Sequence, residues 1–339
     1  MLDAEFARFA ELLLRLPAGE FRDALVAGGE HERRGDRKQA AASYRLALQR
    51  IPPGLPPDLQ PLLARAHAVA QANDRDLEAF IDERLSTLRQ TYADLPLGRF
   101  ERCVDTLLRK RRIYRPAPSF LYFPQLPAIE FYDREMFPWL DALEAATEDI
   151  RAELLEVLAD GAAPLEPYVS VDGAPLPQWR ELNRSRRWSV FYLWRAGEAV
   201  ARNLARCPKT AQALAHWPHC ELRGTGPSAV FSILDAKTRI PPHTGVNNAR
   251  LIAHLPLIVP PGCGFRVGAE TRGWTPGEAF VFDDTIEHEA WNDSDEPRAV
   301  LIVDLWNPYL SAAEQRLVSE LTATVGDYYA ETPVHSGVV

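Results

Sequence analysis

His243 and His288 are the side chains of this sequence best suited to chemistry. His243 stands in Pro241-Pro242-His243-Thr244-Gly245, His288 ends Phe282-Asp283-Asp284-Thr285-Ile286-Glu287-His288, and Arg298 follows ten positions later. Imidazole is the commonest side-chain ligand of transition metals. A guanidinium presents a planar fork that binds a carboxylate through two parallel hydrogen bonds. Two separated imidazoles followed by an arginine on the next strand suggest an iron site with a dicarboxylate cosubstrate. The usual non-heme iron site takes two histidines and one carboxylate on one face of the metal. Two residues after His243, where that carboxylate would stand, the sequence has Gly245. Taken singly, each residue has a purely structural explanation: either histidine as a hydrogen-bonded polar group near a strand end, and Arg298 as the salt-bridge partner of Asp304 or Asp283. Their conjunction favours the metal.

Strands must position these groups. Side chains alternate faces along a strand, so Arg250, Ile252 and His254 project one way while Leu251, Ala253 and Leu255 project the other. On the last apolar strand Arg298 shares a face with Val300 and Ile302, which places a guanidinium in an apolar interior. Such a group is costly unless an anion pairs with it. Strand-like runs occupy Arg187 to Trp194, Ala229 to Leu234, Arg250 to Val259, Gly264 to Val267, Ala279 to Phe282 and Arg298 to Leu305, separated by Gly, Pro, Asn and Asp turns. A short helical insertion is expected from Cys207 to Trp217. Several short strands at this spacing read as a sandwich or barrel, with a double-sheet jelly roll the expected closure.

Residues 1 to about 110 read instead as helix after helix. Phe6, Phe9, Leu12, Leu13 and Leu16 recur at helical spacing. Gly35-Asp36 precedes a run in which small Ala40 and Ala47 flank Tyr44, allowing two helices of a hairpin to approach closely. The pattern resembles a tetratricopeptide unit, and a further helix pair is expected at Leu59–Asn73 and Arg75–Arg89. The basic run Arg109-Lys110-Arg111-Arg112 reads as a helix C-terminus or a solvated segment. Prolines from Pro116 onward stop the helices. The expected organisation is therefore α+β, with an all-α domain over 1–115 and a jelly-roll domain over 116–339. One further helical pattern, Arg134 to Asp160, carries Leu140, Leu143, Ile150, Leu154 and Leu158 on one face and is expected to pack outside the sheets.

Composition sets the remaining bounds. The chain has 339 residues and a formal net charge of −9, which opposes general binding to a nucleic-acid backbone. Cys103, Cys207, Cys220 and Cys263 form no CxxC pair and read as reduced thiols in a cytoplasmic setting. The N-terminal stretch is interrupted by charges throughout, and no segment approaches the ~18–20 uncharged apolar residues of a membrane span, so neither export nor membrane association is expected.

Pro242-His243-Thr244-Gly245, Arg250 through His254, Asp283-Asp284 through Trp291, Trp188-Ser189 to Trp194 and Arg298 to Pro308 together resemble the aspartyl/asparaginyl β-hydroxylase family of iron(II)- and 2-oxoglutarate-dependent oxygenases on a double-stranded β-helix. Helical repeats preceding the oxygenase domain are similar to the animal enzymes of that family. The resemblance implies His243 and His288 as iron ligands, with water in place of the acidic ligand because Gly245 matches the family's glycine. It implies Asp284 as the group that holds this water. Arg298 would pair with the distal carboxylate of 2-oxoglutarate, and Trp188, Ser232 and His254 would line the rest of its pocket. Arg250 corresponds to a family arginine near the substrate. The sequence departs at Ile252, where animal members place a second arginine that holds an acidic group.

The implied reaction consumes O2 and 2-oxoglutarate, releases succinate and CO2, and hydroxylates an unactivated carbon. The expected substrate is an Asp or Asn side chain of a peptide or protein, which the helical domain could present. Hydroxylation of a lipid acyl chain or a small amino-acid metabolite is the alternative, favoured mildly by Ile252. A non-catalytic peptide-binding module is a second alternative. A zinc hydrolase is disfavoured because the sequence lacks HExxH and an obvious third ligand.

Overall fold

The structure, a computed structural model, describes residues 2–161, 164–173 and 176–330, and side chains from 8 to 329 within those ranges. The chain divides into two compact units, one ending at Arg111 and the other beginning at Arg112.

The first unit is helical: α1 Leu2–Leu14, α2 Glu20–Arg33, α3 Arg37–Leu48, α4 Gln60–Thr91 and α5 Gly98–Leu107. Phe6 lies in α1, but its side chain is outside the described set. Gly35 adopts φ 76°, a left-handed conformation suited to glycine, as the chain leaves α2. Asp36 then caps α3 by accepting a 3.1 Å hydrogen bond from the Gln39 amide. Tyr44, Ala40 and Ala47 are fully buried. A Cβ on Gly28 would sit 2.5 Å from the Tyr44 ring, so the close approach of α2 and α3 requires glycine there. The expected pair Leu59–Asn73 and Arg75–Arg89 is instead the single helix α4. Neither Gly nor Pro occurs from 62 to 91 to break it, and Asp74 at the presumed turn is engaged by Arg45 of α3. The basic run after α5 leans back on α4, with Lys110 paired to Glu78 and Arg109 to Asp74.

In the second unit the segment from Arg134 to Asp160 breaks into a 3-10 turn at Arg134–Met136, then α6 Leu140–Ala145 and α7 Thr147–Ala159. Pro138 interrupts the first junction. At the second, the Thr147 hydroxyl donates to the Glu144 carbonyl at 2.6 Å. The strands are β1 Glu166–Pro167, β2 Trp188–Arg195, β3 Glu198–Ala199, β4 Ala229–Leu234, β5 Thr238–His243, β6 Arg250–Ile258, β7 Cys263–Val267, β8 Glu270–Arg272, β9 Phe280–Phe282, β10 His288–Asn292 and β11 Arg298–Trp306. Helices α8 Ala201–Leu204 and α9 Pro208–Ala213 follow β3, and α10 Ala312–Ala330 follows β11.

One sheet runs β1-β2-β4-β11-β6-β9, with β3 on β2, and the other runs β5-β10-β7-β8. From β4 to β11 the chain repeatedly crosses from one sheet to the other, which makes the domain a double-stranded β-helix of the jelly-roll type. The larger sheet is buried on both faces. Leu251, Ala253, Leu255, Leu301 and Val303 pack against Leu140, Leu143, Ile150 and Leu154 of the helices. Ile252, Phe282, Val300, Trp188 and Leu234 pack on the opposite face against Ile240, Phe265, Val267 and Ala290 of the smaller sheet. This second core is the cage that encloses the site. Among the described residues, no helix is long and apolar enough to cross a membrane.

Candidate active site

His243 ends β5 and His288 begins β10, and the antiparallel register sets them directly opposite one another. Their ring centroids are 4.0 Å apart. Each Nδ1 lies against the carbonyl two residues back, Pro241 O at 2.8 Å and Ile286 O at 3.0 Å. These acceptors assign the proton to Nδ1 and leave a lone pair on each Nε2, the arrangement of a metal-ligating imidazole. Burial pushes the His243 pKa down to about 3, with His288 adding to the effect, and pushes His288 down to about 4. Both rings are therefore neutral near pH 7 and ready to donate electron pairs. The sequence pattern does not mark β5 as a strand, because it contains Pro241 and Pro242. As the edge of its sheet, it tolerates residues that cannot donate to a ladder.

The depressed values carry a prediction for the metal-free protein. Between pH ~6.5 and the native values, the unfolded chain binds protons that the native rings refuse. The stability associated with these rings is thus present above ~6.5 and is lost as pH falls toward 4. The thermal midpoint of the wild-type chain should fall more from pH 7 to pH 4 than that of a His243→Gln/His288→Gln variant. Asp283, pushed up to about 7 mainly by burial, contributes with the opposite sign but is common to both proteins. Parallel midpoint curves would show that the rings titrate normally.

Gly245 is required here for space. A Cβ at 245 would lie 2.2 Å from Asp284 Oδ2 and 2.4 Å from its Cγ, so the Asp284 carboxylate occupies the volume of a side chain at that position. Asp284 comes from the turn between β9 and β10, and its carbonyl accepts the Gly245 amide at 2.6 Å. Its Oδ2 accepts Arg250 Nη2 at 2.7 Å, while Oδ1 is buried without a partner. Arg250 Nη1 reaches Asp304 Oδ1 at 3.2 Å, and Asp304 Oδ2 accepts the Ser228 amide at 2.9 Å. Burial opposes the Arg250 charge, but Asp304 and Asp284 outweigh it and hold the guanidinium protonated. Among the described residues no three His, Cys, Asp or Glu side chains are grouped to hold a metal ion. The donor set is two neutral imidazoles with an unpartnered carboxylate oxygen nearby, which fits a metal completed by water.

Arg298 is 2% exposed, and no carboxylate among the described residues pairs with it. The partners suggested by sequence are engaged elsewhere. Asp304 bonds Arg250, and Asp283 accepts the Thr285 amide at 2.9 Å and its hydroxyl at 2.6 Å. Asp304 also lies six residues along the same strand, roughly 20 Å at a rise of ~3.3 Å per residue. The Arg298 guanidinium stacks 4.7 Å from the Trp274 ring centroid, and its Nε has no partner. Burial lowers its pKa to about 10, so at neutral pH it remains a cation without an anion.

Around Arg298 the sheet brings together the other expected residues. Trp188 and Arg298 both pair with Leu234 of the intervening strand, and Trp188 Nε1 donates to Ser232 Oγ at 3.1 Å. His254, buried and kept neutral by that burial, accepts from Trp274 Nε1 at 3.4 Å. The Trp188 ring lies 6.4 Å from that of His243, linking the arginine end of the cage to the histidine pair. Trp274 and Asp304 emerge as site residues only from the structure. Trp274 sits in the loop between β8 and β9 with no motif around it, and Asp304 is one acid in an apolar strand whose partner is set by register.

Residues 144–308 match the sequence profile of the aspartyl/asparaginyl beta-hydroxylase family, a range that contains every residue of the cage discussed above. Human aspartate beta-hydroxylase domain-containing protein 2 is 31% identical over 211 residues, covering 61% of this chain and 55% of that protein. Human aspartyl/asparaginyl beta-hydroxylase is 37% identical over 146 residues, 42% of this chain and 19% of that protein. The ornithine lipid ester-linked acyl 2-hydroxylase of Rhizobium tropici is 35% identical over 186 residues, 54% of this chain and 62% of that protein. The chain thus spans between 19% and 62% of the length of these relatives.

Proposed function

The chain belongs, through its β-sheet unit, to the aspartyl/asparaginyl β-hydroxylase family, and from that premise we propose that it is an Fe(II)- and 2-oxoglutarate-dependent hydroxylase of an unactivated carbon. The observation that carries this reading is Arg298, a buried guanidinium with no anion among the described residues, in the same cage as two neutral imidazoles. An unpaired cation in an apolar interior is costly, and a dicarboxylate cosubstrate supplies the missing charge.

His243 Nε2 and His288 Nε2 would hold the iron, and Asp284 Oδ1 would orient a water at the position that Gly245 leaves without a ligand. Arg298 would receive one carboxylate of 2-oxoglutarate, while Ser232, Trp188 and His254 line the cavity. Iron and 2-oxoglutarate, when bound, supply the oxidation that splits O2 between succinate and the hydroxylated carbon, with loss of CO2. The residues of this chain supply orientation, a neutral ligand pair and exclusion of water. Trp188, stacked on Tyr168 at 3.9 Å, and Phe282 beside His288 wall the site against solvent.

For the substrate, the family and its human member favour an Asp or Asn side chain of a peptide or protein. The helical unit supports a polypeptide, since paired helices commonly offer extended surfaces to one. A second reading, an acyl chain, is favoured by a specific observation. The charge of Arg250 is already taken by Asp284 and Asp304, and its neighbour on the same face is the apolar Ile252. The Rhizobium relative, named as an acyl hydroxylase, belongs with that reading.

The test incubates the full chain with ferrous iron, 2-oxoglutarate and O2. Peptides matched except for a central Asp or Asn, and a short acyl-amide lipid, are offered in parallel. Succinate formation together with the gain of one oxygen atom on a substrate, read by mass spectrometry, is the expected result. Absence of succinate in every arm would favour a binding module without turnover.

A further inference from the structure

Asp304 is a buried carboxylate that the proposed chemistry does not use. Strand register fixes it rigidly: its amide donates to Ser228 O at 3.1 Å, and its Oδ2 accepts the Ser228 amide at 2.9 Å. Its remaining oxygen holds one arm of Arg250, whose other arm holds Asp284. A guanidinium beside a single carboxylate prefers to close on it with two parallel hydrogen bonds. Here the fork is divided between two acids and Nε is buried without a partner, so Asp284 meets the guanidinium through Nη2 on Oδ2 alone and keeps Oδ1 unpartnered while buried. Opposite Asp304 on β6 stands Ile252, which has no polar atom to hold the second arm in its place.

We propose that Asp304 is a positioning residue for the metal site: by holding Nη1 of Arg250, it fixes the guanidinium in the orientation in which Nη2 alone reaches Asp284 and leaves Asp284 Oδ1 available beside the histidine pair. The proposal rests on the reading of His243 and His288 as metal ligands. It assigns Arg250 to the bridge and removes it from the groups free to grip a substrate carboxylate.

Mn(II) affinity of the full chain, titrated without O2 and read by the electron paramagnetic resonance of the free ion, provides the test. Loss of a group that orients a metal site commonly weakens binding by about 10- to 100-fold. Asp304→Asn should weaken Mn(II) binding by about tenfold at least. The same substitution in an Asp284→Ala background should have no further effect, because Asp304 acts only through Asp284. Unchanged affinity overturns the proposal. So does an equal loss in both backgrounds, which would mark a general structural role. If Asp304→Asn does not fold, Arg250→Lys keeps the charge but cannot span two acids, and it is judged by the same comparison. A wild-type chain that binds no Mn(II), or binds it unchanged after His243→Ala/His288→Ala, overturns the metal-site reading itself, a result distinct from the others.

Discussion

Arg298→Ala is expected to raise the 2-oxoglutarate concentration required for succinate formation by about a hundredfold or more. Removing one partner of a buried ion pair costs ~3–5 kcal/mol, and each ~1.4 kcal/mol is tenfold in affinity. Arg298→Lys should recover only part of the loss, because an ammonium offers a point charge without the fork. The same position should show the opposite trend in stability. Among the described residues the buried guanidinium is paired with no anion, so Arg298→Met, which keeps a long stem and removes the charge, should raise the thermal midpoint when no dicarboxylate is added. A KM for 2-oxoglutarate that does not change would remove Arg298 from its assigned role. A lowered midpoint for Arg298→Met would mean that the charge is compensated in the resting protein.

The second large effect concerns Gly245. Gly245→Ala puts a methyl group 2.2 Å from Asp284 Oδ2, far inside contact distance. Asp284 has little room to yield, held by Arg250 through its side chain and by the Gly245 amide through its carbonyl. Overpacking of this kind costs ~1–3 kcal/mol, and the displaced carboxylate should carry Mn(II) affinity down with it. Gly245→Asp, which restores the acid of the usual two-histidine, one-carboxylate site, should fare no better while Asp284 is present. In an Asp284→Ala background, however, Gly245→Ala should be tolerated. Thermal unfolding and Mn(II) uptake of the wild type, the two single alanine variants and the double variant measure the coupling. Additive effects would show that the two side chains do not compete for one volume.

Much of the β-sheet unit was legible in the chain itself. Alternation put Ile252 and His254 on one face of Arg250 to Val259 and assigned Val300 and Arg298 to an apolar interior along Arg298 to Leu305, and the core that encloses the site contains Ile252 and Val300. Where the pattern failed, local chemistry was overridden by position. Pro241 and Pro242 argue against a strand, yet β5 exists because an edge needs fewer donors. A helix pair is expected at Leu59–Asn73 and Arg75–Arg89, yet α4 runs through, with Asp74 engaged by Arg45 of a neighbouring helix.

By itself the sequence determined the two histidines, the absence of an acid at 245, the apolar setting of Arg298 and an aliphatic side chain at 252. These are properties of residue identity and of a two-residue period, and a period survives any arrangement of the strands. Only the tertiary structure decided who pairs with whom. It gave Asp304 to Arg250 and left Arg298 without an anion among the described residues, and it placed Asp284 in the space that Gly245 vacates. Trp274 came to rest beneath the buried guanidinium in the same way. Such pairings depend on sheet order and register between residues tens of positions apart, which bring charges within a few ångströms or keep them a strand length away, and no local pattern encodes that separation.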